Sequence, residues 1–134
     1  MEQMVERQPP FILNEHGDVE VFDSEAELLS YVESIDILNE EYEVWDGDGR
    51  KLGLRADPKM LTDGPLQKSE LEALLRQHVR YLYSNGYVSF EPSNKASIQD
   101  LIGIIHRFQH AGVEDGKNYL TQAKLIFRRI FRKN

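Results

Sequence analysis

The sequence predicts an α+β fold: an N-terminal ββαββ antiparallel sheet followed by about three C-terminal helices packed on it. Two features carry this expectation. Apolar residues alternate through the first part of the chain but recur every three or four positions from about residue 67 onward. The breaks between these stretches hold glycine, proline and asparagine, the residues that turns require.

Residues 1–10 are polar, end in Pro9-Pro10 and read as a flexible arm. Phe11-Ile12-Leu13 and Val19-Glu20-Val21-Phe22 flank a turn over Asn14–Asp18, which gives a β-hairpin. Ser24-Glu25-Ala26-Glu27 is a capping box opening a short helix over roughly 24–34, with Ala26, Leu29 and Tyr31 or Val32 as its apolar stripe. A second hairpin follows, Tyr42–Trp45 and Lys51–Arg55 joined by the Gly-rich Asp46-Gly47-Asp48-Gly49-Arg50. Asp57-Pro58 and Gly64-Pro65 place a hinge at 56–66. Three helices are then expected. The first starts at a capping box, Ser69–Glu72, and ends at Asn85-Gly86; the second runs from Ser97-Ile98-Gln99-Asp100 to Ala111-Gly112; the last begins near Lys117. Residues 1–134 therefore read as one domain with a sheet-forming lobe (11–55) and a helical lobe (67–133).

Strand alternation puts Val19, Val21, Tyr42, Val44, Leu52 and Leu54 on one face and Glu20, Phe22, Glu43, Trp45, Lys51 and Arg55 on the other. The first set is a core. The second mixes charge with two large aromatics, and suits either a face covered by helices or an open face offering anchors to a partner.

The 134 residues carry 16 basic and 23 acidic side chains, a net charge of −7, and no cysteine. A chain of this size can form a core without crosslinks, and the lack of thiols excludes thiolate catalysis and Cys-ligated metals. Neither a signal peptide nor a membrane span is legible, so a soluble cytoplasmic protein is expected. Charge is unevenly placed. Residues 1–66 hold 17 acids against five bases, a net of −12, and residues 67–134 carry a net of +5. Such an acidic segment repels nucleic acid and favours a basic protein partner.

No motif points to catalysis, a cofactor or a metal. Asp46–Arg50 departs from the calcium loop, which needs an oxygen ligand where Arg50 stands and glycine where Lys51 stands. His106 and His110 have zinc-ligand spacing, but Arg107 replaces the glutamate of the metalloprotease motif and no third ligand is indicated. Arg76 and Arg80 share a helix face from which His78 points away, toward the apolar stripe. The basic, amphipathic tail Leu125–Asn134 reads as a helix docked on the core, not as a membrane or nucleic-acid binding element.

Phe11–Asn14, Gly17–Ser24, Tyr31–Asp36 and Glu41–Asp46 together resemble a pattern of bacterial immunity proteins, small acidic proteins that bind and block a cognate toxin domain. The resemblance covers residues 11–55 and implies stoichiometric inhibition without an active site. On that basis Glu40, Glu41, Tyr42, Glu43, Trp45, Asp46 and Asp48 are the expected partner-binding residues: the acids steer onto a basic toxin surface and Tyr42 or Trp45 supplies buried contact area. The alternative is a non-catalytic adaptor that binds a partner through its C-terminal helices, with Leu125, Ile126 or Phe131 exposed. A third class, an enzyme using His78, His106 and His110, requires the three to converge.

Overall fold

The first hairpin forms where alternation predicts it. In the computed structural model, which describes residues 6–89 and 91–114, β1 (Phe11–Glu15) and β2 (Asp18–Phe22) are joined by His16 and Gly17. Both turn residues have positive φ, 54° and 94°, the pairing that a two-residue turn matched to strand twist demands. The Asn14 Oδ1 accepts the Gly17 amide at 2.8 Å and fixes the reversal.

Two short helices follow where one was expected. Ser24 caps α1 (Glu25–Tyr31) by accepting the Glu27 amide at 3.1 Å, and the Glu27 carboxylate reaches back to the Asp23 amide. The chain turns extended at Val32, and α2 (Ser34–Leu38) adds one further turn. Its end is a Schellman motif: the Glu41 amide donates to the Asp36 carbonyl and the Glu40 amide to that of Ile37, with Glu40 at φ 57° where glycine is usual.

β3 (Tyr42–Trp45), β4 (Lys51–Ala56) and β5 (Lys59–Thr62) complete an antiparallel sheet of order β2-β1-β3-β4-β5. β5 corrects the sequence expectation of four strands and a hinge over 56–66. Asp57-Pro58 is the tip of a hairpin in which Ala56 faces Lys59; a proline at a two-residue tip ends one strand and starts the next as readily as it marks a linker.

Register also corrects the two faces. Ile12 lies opposite both Val21 and Trp45, so Val19, Val21 and Trp45 share a side; Leu13 lies opposite Val44, which lies opposite Leu52. Alternation sorts residues within a strand, but only the pairing relates one strand to the next. Both sides are covered. Phe11, Leu13, Val44, Leu52 and Leu61 pack under α1 and α2 through Leu28 and Val32, and Phe22 meets Tyr31 at 5.3 Å between ring centroids.

On the other side lie α3 (Lys68–Ser84) and α4 (Ile98–Glu114). The α3 stripe is Leu71, Leu75, His78, Val79 and Leu82, as helical spacing predicts. The expected cap at Ser69 is not used: Gln67 precedes the first turn without a side-chain bond, and Ser69 lies inside the helix. Ser97 and Asp100 do form a full capping box, each side chain accepting the other's amide at 3.0 Å. α4 continues through Ala111-Gly112, because a helical glycine costs only about 1 kcal/mol against alanine when the rest of the helix is packed. Leu101, Ile102 and Ile105 join Ile12, Val21 and Trp45 in one core, so the sheet and the long helices share an interior. The helix expected from Lys117 lies outside the described residues.

Candidate functional site

The seven residues expected to bind a partner do not form one surface. Trp45 is 1% exposed, in the core beneath α3 and α4. As a presented anchor it is therefore excluded: register puts Val19 and Val21, not Glu20 and Phe22, on its side of the sheet, the side that the long helices cover. Asp46 is also interior. Its carboxylate accepts the amides of Gln8 (3.2 Å), Asp48 (3.0 Å) and Arg50 (2.9 Å), and the Arg50 guanidinium at 3.4 Å. It organises the β3–β4 turn instead of facing a partner. Asp48 is exposed and paired with Arg50 at 3.0 Å.

The same turn holds the segment read as a flexible arm. The Gly47 amide donates to the Gln8 carbonyl at 2.6 Å, and a Cβ at Gly47 would lie 2.5 Å from the Pro9 carbonyl oxygen, so the close approach needs glycine. Arg7 bonds Glu25 at 2.9 Å and Asp63 at 2.8 Å. Residues 7–10 are thus fastened to the body. Sequence offers no sign of this, since the partners lie far along the chain.

Tyr42 is half-buried. Its hydroxyl donates to Asp36 at 3.2 Å and accepts the Glu33 amide at 3.3 Å, and burial pushes the phenol well above its ordinary pKa. Glu43 accepts Lys51 and Asn14, each at 2.9 Å, and the Lys51 bond holds its carboxyl below the usual value. A carboxylate whose pKa is lowered by folding stabilises above its unfolded value and loses that contribution as pH falls through the folded one. Glu43→Gln is therefore expected to cost up to about 1 kcal/mol at neutral pH, the range of an exposed ion pair. The difference should close as pH drops below the ordinary value of 4.5, and denaturant titrations of both proteins across that range would check it; a gap unchanged in acid would show that the pair contributes nothing.

What remains exposed is the corner where α2 meets β3. Ile35 and Leu38, three residues apart and hence on one helix face, are 65% and 73% exposed. Ile37 points inward and packs with the core under α1. The stretch 33–41 that holds the pair contains Glu33, Asp36, Glu40 and Glu41 and no lysine or arginine; Lys59 reaches its start, donating to the Val32 carbonyl at 3.1 Å. Glu40 is exposed, and Glu41 pairs with His16 at 3.1 Å. The apolar pair was missed from sequence because the predicted helix stopped at Ser34. Its signal is an Ile-x-x-Leu pair inside an acidic run, with too few helical residues to bury both faces.

No family model, curated protein or solved structure matches the chain. Function has to be argued from the surface itself.

The remaining candidates separate cleanly. Arg76 bonds Glu72 and the carbonyls of Ser93 and Ala96, clamping the loop before α4. His78 is buried, its Nδ1 3.3 Å from the Gly17 carbonyl at one end of β2, whereas His106 meets Asp23 beyond the other end. The three histidines of an enzymatic site therefore do not converge. Leu125, Ile126 and Phe131, the adaptor surface, lie outside the described residues. Among the described residues no helix is long and apolar enough to cross a membrane.

Proposed function

We propose that this chain is a stoichiometric inhibitor of the bacterial immunity type, which docks on a basic toxin domain in the cytoplasm through the corner formed by α2 and the start of β3. The observation that carries this is the exposed Ile35–Leu38 pair within a stretch that holds four acids and no basic residue. Apolar contact at the centre and charge at the rim is the layout of a protein-binding hot spot. The acids raise the encounter rate with a basic surface and reject acidic ones, and the apolar pair supplies the free energy that holds the complex.

Glu40 supports the same surface from its backbone. A left-handed glutamate costs about 1–2 kcal/mol where glycine costs little, and its carboxylate is free to face solvent at the rim of the patch.

The test has two parts. The tagged full-length chain is expressed in its source organism, and the partner recovered at one-to-one stoichiometry is expressed alone. Growth arrest relieved by co-expression of this chain is expected; a harmless partner would rule out the immunity function. Leu38→Ala should then weaken the complex by about 2 kcal/mol, on the order of thirtyfold. Glu40→Gly should raise folding stability by about 1 kcal/mol and yet slow association in low salt. If both variants bind as the parent does, the corner is not the interface.

A further inference from the structure

One side chain of α4 hydrogen-bonds directly to the backbone of the sheet's outermost strand. Gln109 accepts the Val21 amide at 2.6 Å and donates to the Val21 carbonyl at 3.0 Å. β2 is the outermost strand, so this amide occupies the position of a missing neighbouring strand and fixes α4 along β2. Gln109 lies between His106 and His110 in sequence, and the register it sets brings both over Asp23, the first residue after β2.

The three side chains are close. His106 Nε2 is 3.2 Å from Asp23 Oδ1, the rings of His106 and His110 are 4.3 Å apart, and one donor atom from each of the three lies within 4.8 Å of the others. Asp23 is the third ligand that the helical pair lacks in sequence; it is more than 80 positions away and becomes a neighbour through the packing of α4 on β2, which the Gln109 bonds hold in register. Ligand atoms around tetrahedral zinc, with bonds of 2.0–2.2 Å, stand about 3.4 Å apart. Closing from the observed spacing takes only side-chain rotation, which exposed Asp23 and His110 can make.

We infer that Asp23, His106 and His110 form a binding site for a zinc-class divalent cation. Two imidazoles and one carboxylate select zinc and its transition-metal neighbours over calcium and magnesium, which take all-oxygen shells. Arg107 projects about 100° around the helix from His106; it borders one hollow with Gly86, Tyr87 and Val88 and another with His106 and Lys95, whereas the cleft that Asp23 shares with His106 is lined by neither Arg107 nor any lysine. Asp23 and His106 also line a cleft of about 590 Å³ shared with Pro9, Pro10, Asp48 and Gln99. Three protein ligands leave a fourth position for water or a ligand group entering from that cleft. The site lies on the α4 side of the sheet, apart from α2, and does not depend on the proposed inhibitory function.

The test uses the full-length chain with its purification tag removed and stripped with a chelator. Calorimetric titration with Zn²⁺ should show one equivalent bound, and Co²⁺ should give the visible absorption of a tetrahedral site. Asp23→Ala and His110→Ala should each weaken zinc at least tenfold with the far-ultraviolet circular dichroism unchanged, while His16→Ala, at a histidine outside the cluster, should leave it intact. Gln109→Ala keeps all three ligands but removes the bonds that hold the helix in register, and should weaken zinc as well. Absence of saturable binding, binding unaffected by Asp23→Ala and His110→Ala, or an equal loss in His16→Ala would overturn the assignment.

Discussion

Trp45→Ala is expected to lower folding stability by about 3–5 kcal/mol, the range for removing a large aromatic from a packed interior. Trp45 is the largest fully buried side chain. It sits where β3 passes beneath the long helices, in contact with the cluster formed by Ile12, Val21, Leu75 and Ile105. Against a total of about 5–15 kcal/mol for an ordinary domain, the variant loses a fifth or more of its stability. Its midpoint in thermal unfolding should fall by roughly 10 °C or more. Circular dichroism is the appropriate probe, since Trp45 is the sole tryptophan and the variant has no indole fluorescence. Trp45→Phe should cost less. The indole Nε1 is buried and has no partner among the described residues, so phenylalanine removes an unsatisfied donor along with part of the ring. A loss below about 1 kcal/mol for Trp45→Ala would mean that the helices do not cover this side chain, and would restore it as a candidate anchor.

The misplacement of Trp45 shows what a single sequence does and does not reveal. Period and punctuation identified both hairpins, the cap at Ser24, the capping box at Ser97 and the buried stripe of α3, because each depends on residues only a few positions apart. Everything requiring a distant partner escaped. Which face Trp45 shares is decided by its pairing with Ile12, the order of Arg7–Pro10 by contacts with Glu25, Asp46, Gly47 and Asp63, and the approach of Asp23 to His106 by the packing of α4 on β2. Net charge was legible as a sum but not as a surface. Of the acids in the first half, Glu15, Asp18, Glu20 and Asp46 are buried, while Glu33 and Glu40 beside α2 are exposed, as are Asp23, Glu27, Asp48, Asp57 and Asp63 elsewhere. The exposed pair Ile35 and Leu38 was hidden for a local reason: with the helix ended at Ser34, nothing assigned them to a common face.

Asp46→Ala is expected to cost about 3 kcal/mol, far more than Asp48→Ala two residues later. Both are acids of one turn, and from sequence they are equivalent members of an acidic binding surface. Their surroundings differ. Truncating Asp46 leaves three amides and a guanidinium without the acceptor that its fully buried carboxylate supplies, and although water can reach some of these donors, a lost charge-assisted bond costs about 1.5–3 kcal/mol. Asp48 is half in solvent and holds only Arg50, so its loss should stay within about 0.5 kcal/mol. Denaturant unfolding of both variants would separate them, and equal losses would sink the structural role of Asp46. The distinction governs how binding data on this turn are to be read. Asp46→Ala releases the Gln8 amide and loosens the segment that Gly47 holds, so weaker partner binding in that variant reports a disordered turn. Charge at the proposed interface is tested more cleanly at Glu40, where Glu40→Gly removes the side chain and is expected to raise stability.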